Sequence, residues 1–142
     1  MNRLIERLFK RRELSGDGGC PPYLITYRIL QTRLGGIFLH HFIADDWSLD
    51  LHDHHPYLII SIGLAGGYIE ETLTGIVRWG APWIRLIRPV YAHRIVLLNH
   101  HPCWTLIVTL PGNRKWGFWR GPAWQEAGAY LGDPSTAARR SC

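Results

Sequence analysis

The chain has 142 residues, 46% of them hydrophobic and 19% charged, which suits one domain with a substantial core and is too short for two. Its formal net charge of +5 resides in the ends: Arg3, Arg7, Lys10, Arg11 and Arg12 stand against Glu6, and Arg139 and Arg140 lie near the last residue, while the body holds nine basic and ten acidic residues. That distribution argues against nucleic acid as a partner, and without a signal-peptide pattern or a run of about 20 apolar residues, a cytoplasmic protein with no membrane partner is expected. Cys20, Cys103 and Cys142 are odd in number and lack paired spacing, which argues against a disulfide framework and for a reducing compartment.

In chain order, Leu4, Ile5, Leu8 and Phe9 share one helical face, so residues 2–13 read as a short amphipathic helix. The Gly- and Pro-rich stretch 15–22 is a loop, closing an N-terminal unit of residues 1–22. From Tyr23 the pattern is that of strands: 23–30, 36–43, 48–54, 57–64, 68–72, 75–79, 83–87, 91–98, 103–110 and 115–119, punctuated by Gly, Pro and Asn. Residues 23–130 therefore read as an all-β barrel, and residues 131–142 as a flexible basic tail. Short strands with tight turns and one terminal helix fit a double-sheet jelly roll.

The most informative stretch is Leu51-His52-Asp53-His54-His55-Pro56. Residues i and i+2 of a strand point to one face roughly 7 Å apart, so two imidazoles can converge on one ion with bonds of about 2.1 Å. Polar surface turns carry the same spacing by chance, so the pair alone leaves both readings open. A later histidine, in Arg88-Pro89-Val90-Tyr91-Ala92-His93, follows at a separation of 39 residues from His54.

Together these stretches resemble the cupin superfamily, whose first motif is G-x5-H-x-H-x3,4-E-x6-G and whose second is G-x5-P-x-G-x2-H-x3-N. His52 and His54 match the first pair and Gly66 its closing glycine, but Ile59 stands at the glutamate and Asp46 at the leading glycine. In the second, His93 matches, its proline is one residue too close, and Leu97 replaces the asparagine. The stretch from Trp104 to Phe118 is similar to small single-domain phage- and bacteria-associated cupins of unassigned activity. The resemblance implies a double-stranded β-helix, a homodimer, and a metal held by His52, His54 and His93. It further implies a mononuclear three-histidine oxygenase, a dioxygenase-like oxidoreductase acting on a small polar or anionic molecule. Fe(II) is the first choice among divalent transition metals, with Ni, Cu, Zn or Mn also suited to imidazole ligands.

Strand parity places neighbours. Tyr91 and Ile95 share the face of His93, making Tyr91 the candidate catalytic donor to bound oxygen or substrate, and Ser61 shares the face of Ile59. Arg85 and Arg88 are candidate clamps for a carboxylate or phosphate of the substrate. One of His40 and His41 must face inward, more readily as a core histidine than as a ligand. His55, His100 and His101 read as loop residues, and seven tryptophans as core or dimer surface. Glu70 and Glu71 alternate faces, so they cannot act together as acid and base. Two alternatives remain open: a non-catalytic binding protein for a nucleotide- or sugar-like ligand, and a metal-free sugar isomerase or epimerase.

Overall fold

A computed structural model describes residues 2–142, apart from the side chains of Asn2 and Glu6. In chain order the elements are α1 (Asn2–Leu8), β1 (Lys10–Leu14), β2 (Leu24–Thr32), β3 (Gly35–Phe42), β4 (Leu51–His52), β5 (Ile59–Ala65) and β6 (Gly67–Thr72). They continue with β7 (Gly75–Gly80), β8 (Trp83–Ile87), β9 (His93–Leu97), β10 (Cys103–Thr109), β11 (Gly117–Arg120), β12 (Ala123–Glu126) and α2 (Ala127–Gly132). Short 3-10 turns span Leu98–His100 and Pro134–Arg139. Among the described residues no helix is long and apolar enough to cross a membrane.

Period-two patterning builds the walls. On β10, Cys103, Thr105 and Ile107 are buried and alternate with half-buried Trp104, Leu106 and Val108; on β5, Ile59, Ser61 and Gly63 do the same. The strands assemble into two six-stranded antiparallel sheets, β1-β2-β3-β10-β5-β8 and β12-β11-β4-β9-β6-β7. Their inner faces meet as a jelly roll, as the strand pattern led one to expect. Leu24, Phe42, Tyr68, Trp83, Ile95, Leu97 and Cys103 fill one region, and Ile59, Ile87 and Ile107 another. Each such large apolar side chain contributes about 1.5–3 kcal/mol on full burial. Gly66 joins β5 to β6 at φ +76°, and a Cβ there would stand 2.4 Å from the Pro102 carbonyl oxygen, so glycine is required on both counts.

Several expectations need correction. The N-terminal helix ends at Leu8, and Lys10–Leu14 instead pairs antiparallel with Leu24–Arg28, the sheet edge overriding helical periodicity. The stretch 48–54 yields only Leu51–His52 as strand, because Asp46, Ser48, Asp50 and Asp53 are buried polar residues bonded to β9, α2, β11 and β12. Beyond residue 120, β12 and α2 were not foreseen; Phe118, Ala127 and Tyr130 pack with Trp47 and Cys20 beneath α2. The segment read as a flexible tail is folded: Arg139 pairs with Asp50 at 2.8 Å, Arg140 with Asp17 at 3.0 Å, and Ser141 N–H donates to the Trp47 carbonyl at 2.7 Å.

Docking the tail brings Cys142 onto Cys20, and the two form a disulfide with Cα atoms 5.8 Å apart. The expectation against disulfide pairing is thus wrong: a separation of 122 residues carries no local signature, and among the described residues only Cys103, buried in the core, is free. The tryptophans do not form an exposed aromatic face either. Trp47 and Trp83 are buried, and the exposed large apolar side chains are mostly aliphatic, with Ile76, Ile84 and Leu86 on β7 and β8 prominent beside Tyr57 and Trp124.

Candidate metal centre

His52 on β4 sits directly opposite His93 on β9 in the antiparallel register. Cross-strand partners lie with Cβ atoms about 5 Å apart, which brings the two imidazoles together without further adjustment. His54 lies past the end of β4, in the loop, and its position is fixed through the backbone. Its N–H donates to the Pro89 carbonyl at 3.1 Å, and its own carbonyl accepts from Arg114 Nη1 at 3.1 Å. Asp53 between the histidines points away, as parity requires, and accepts from Gly117 N–H at 2.7 Å and Trp124 Nε1 at 3.1 Å. This buried carboxylate ties the histidine loop to β11 and β12.

The ligand atoms of His52, His54 and His93 all lie within 4.8 Å of one another, so the three can hold a metal ion. His54 Nε2 and His93 Nε2 are 3.1 Å apart. Two donors bonded to one ion at about 2.1 Å, with angles between octahedral and tetrahedral, would stand about 3.0–3.4 Å apart. The His54–His93 spacing meets that requirement. The imidazoles are also in the right charge state: burial lowers His54 well below the ordinary histidine range and His52 to about 3, each helped by the other histidines, so both are neutral donors near pH 7.

Two carboxylates stand behind the ring. Glu70 on β6 is fully buried, and its Oε1 lies 2.6 Å from His93 Nδ1. Its other oxygen accepts from Trp79 Nε1 at 3.0 Å, from the Tyr91 hydroxyl at 2.9 Å and from Arg85 Nη1. Burial alone would raise this carboxyl, but hydrogen bonding and charge from His93 and Arg85 outweigh it and hold it at about 2. Being ionised, Glu70 can only accept, so His93 Nδ1 donates to it and Nε2 is the ring nitrogen turned towards the site. A carboxylate behind a ligating histidine in this way fixes its tautomer and raises its basicity. Asp46 Oδ2 lies 3.6 Å from His52 Nδ1, an ion-pair distance rather than a hydrogen bond, and accepts instead from Ile95 N–H at 2.8 Å.

The triad opens onto a cavity of about 860 Å³ between the sheets, which also exposes His40, Ser61 and Thr105. Ile59, at the position of the motif glutamate, lines it with Ile87 and Ile107, so an apolar wall replaces a fourth carboxylate ligand. Charged groups on the lining are Glu13, Asp46, Asp50 and Asp53 against Arg12.

Other sequence candidates divide. Ser61 does face inward, accepting from Trp83 Nε1 at 3.4 Å. Tyr91 is close to His93, ring centroids 5.6 Å apart, but its proton goes to Glu70 instead of into the cavity. Arg85 is a clamp for Glu70, stacked on Trp79 at 4.5 Å, and not a free cation for substrate. Arg88 is exposed, and its carbonyl accepts from the Tyr91 N–H at 3.0 Å. Of the histidine pair, His40 turns inward between Phe38 and Phe42, and His41 turns out to stack on Trp104 at 3.9 Å. His55, His100 and His101 are exposed. Sequence reasoning missed Glu70, although strand parity carried the signal: Tyr68 and Glu70 must share the inner face if Ile69 and Glu71 share the outer one.

No protein-family model matches the sequence, and no curated protein matches it either. Solved structures do. A cupin-2 domain from Rhodospirillum rubrum superposes with a TM-score of 0.61 at 10% identity, covering 92% of this chain and 86% of that one. The chain has the cupin fold. Two further cupin-fold neighbours carry described activities: a Streptomyces nucleoside dehydratase, Pac13 (TM-score 0.58, 8% identity, 80% and 87% coverage), and a Thermotoga maritima protein described as a predicted oxalate decarboxylase (TM-score 0.58, 16% identity, 72% and 92% coverage). At these identities the likeness extends to the cupin barrel and not to the reaction.

Proposed function

We propose that this cupin is a mononuclear metal enzyme whose ion is held by His52, His54 and His93 and whose substrate is a small polar molecule bound in the interior cavity. The observation that carries the reading is the oriented triad: three imidazoles converge, and one has its Nδ1 held by a buried, ionised glutamate. A bound divalent transition metal, Fe(II) first, would supply polarisation of a chelating substrate and activation of dioxygen. The chain supplies the rest. Glu70 keeps the proton of His93 on Nδ1, while Arg85, Trp79 and Tyr91 hold Glu70 ionised and still. Tyr91 is a positioning residue on this account, acting on His93 through Glu70.

An uncharged polar substrate suits the cavity better than an anion, because Asp50 and Asp53 on the lining are already paired with Arg139 and Arg114, and Arg85 beside it is already neutralised by Glu70, so no buried cation is left for an anion. Ile59, Ile87 and Ile107 exclude water from one wall, leaving the ring of histidines as its polar pole. Oxygen uptake by metal-loaded protein, measured with neutral and anionic candidate substrates, tests the oxygenase assignment. Turnover of neutral compounds alone is expected, whereas metal binding without uptake for any of them would reduce the protein to a binding module.

Homodimer formation belongs to the same proposal, through the exposed aliphatic outer face of β8 at Ile84 and Leu86. Light scattering showing only monomer would remove it.

A further inference from the structure

The first sheet carries a second polar group inside the barrel, on the wall across from the triad. Thr26 on β2, His40 on β3 and Thr105 on β10 lie at one level: His40 is the register partner of Thr26 on one side and of Thr105 on the other. All three line the cavity. Cross-strand neighbours stand about 5 Å apart, so the three make a continuous polar bar across the inner face of the sheet.

What marks the bar is that it is unsatisfied. Thr105 is 1% exposed, and the hydroxyls of both Thr105 and Thr26 are buried without a hydrogen-bond partner. His40 makes ring contacts with Phe38 and Phe42, at 6.4 and 6.0 Å between centroids, and its imidazole has no hydrogen bond among the described residues. A buried hydroxyl without a partner costs about 1–3 kcal/mol, and valine would fill the same volume without that cost. Two such hydroxyls beside an imidazole without a hydrogen bond, on residues that line one cavity, are explained by a ligand that supplies their partners.

We propose that Thr26, His40 and Thr105 form a recognition subsite for the edge of a flat, uncharged ring that presents a hydrogen-bond donor beside an acceptor, as a cyclic amide does. Each hydroxyl can both donate and accept, and a neutral imidazole offers one of each, so the bar reads a mixed edge. Burial lowers His40 to about 4, so it remains neutral near pH 7 and offers no charge to a carboxylate or phosphate. Phe38 and Phe42 flank His40 along β3 and provide apolar surface for the faces of a ring. The inference rests on the reading of the cavity as a substrate chamber, and it names the end of the substrate that points away from the triad.

The test uses uracil as the cyclic-amide probe and ribose as the probe for a polyol, with binding followed by calorimetry on the full-length protein and metal content measured in parallel. Uracil should bind and ribose should not. Thr26→Val and Thr105→Val should each weaken uracil about threefold to tenfold, the loss of one hydrogen bond, while leaving Tm unchanged or higher and metal content unchanged. A purely structural role for the hydroxyls would instead lower Tm. The proposal is overturned if uracil fails to bind wild type, if both valine variants bind it as wild type does, or if ribose alone binds. Uracil binding that depends on the threonines in a protein without metal would sink the metal-enzyme reading and leave the subsite standing; stoichiometric metal with uracil indifferent to them would do the reverse.

Discussion

Glu70→Gln is the sharpest perturbation of the centre, because it keeps the shape and removes only the charge and one acceptor. In the protein, one Glu70 oxygen faces His93 Nδ1 and the other accepts from Trp79, Tyr91 and Arg85. Glutamine cannot serve both sides. If its carbonyl stays with the three donors, its amide N–H faces His93 Nδ1 and moves the histidine proton to Nε2, where it blocks the ligand lone pair. If it flips, the amide N–H confronts Arg85, Trp79 and Tyr91. Either way Arg85, whose side chain is 8% exposed, loses its counter-charge. Breaking a buried pair costs about 3–5 kcal/mol, and loss of an outer carboxylate typically weakens metal affinity about 10–100-fold. Chelator competition and calorimetry on the same variant measure both quantities. Glu126→Gln is the control: it is 46% exposed, pairs with Lys115, itself 75% exposed, and should change neither. Unchanged affinity and Tm in Glu70→Gln would refute the tautomer argument.

Acid should act on the metal-free protein through buried neutral histidines. The His40 value is depressed from 6.5 to about 4, so its contribution is complete above the unfolded value and is lost as pH falls from 6.5 towards 4. Asp46, raised by burial to about 6, works in the opposite sense between about 4 and 6 and offsets part of the loss. Calorimetry against pH should therefore find His40→Leu less acid-sensitive than wild type by up to about 1.4 kcal/mol per pH unit in that window; parallel profiles would contradict it. Thiol titration of the denatured, unreduced protein should find one thiol, Cys103, and reduction should cost about 2–4 kcal/mol of stability. Three thiols in protein kept from reductant would show that the Cys20 to Cys142 link does not form.

Strand alternation and turn residues made the barrel legible, since β2, β3 and β5 to β11 fall where apolar runs are broken by Gly, Pro or Asn. What escaped was set by tertiary contact. Lys10–Leu14 has a helical pattern and becomes an edge strand because Leu24–Arg28 offers a free ladder. The tail looks mobile by composition but is pinned by Asp50 and Asp17, which lie about 90 and 120 residues away in sequence and leave no local trace. His52, His54 and His93 could be paired from spacing and family resemblance. Glu70 could not be paired with them, because its role depends on β6 lying beside β9, in the register that sets Glu70 against Ile95. Arg85 looked like a substrate clamp for the same reason: sequence shows a cation and hides the carboxylate that occupies it.

Metal content tests the central claim most directly. Protein purified without a histidine tag should hold one transition-metal ion per chain by elemental analysis, and His52→Ala and His93→Ala should each lose it while keeping the far-ultraviolet spectrum of a folded barrel. Metal-free wild-type protein that also fails to take up Fe(II), Ni, Cu, Zn or Mn would contradict the account.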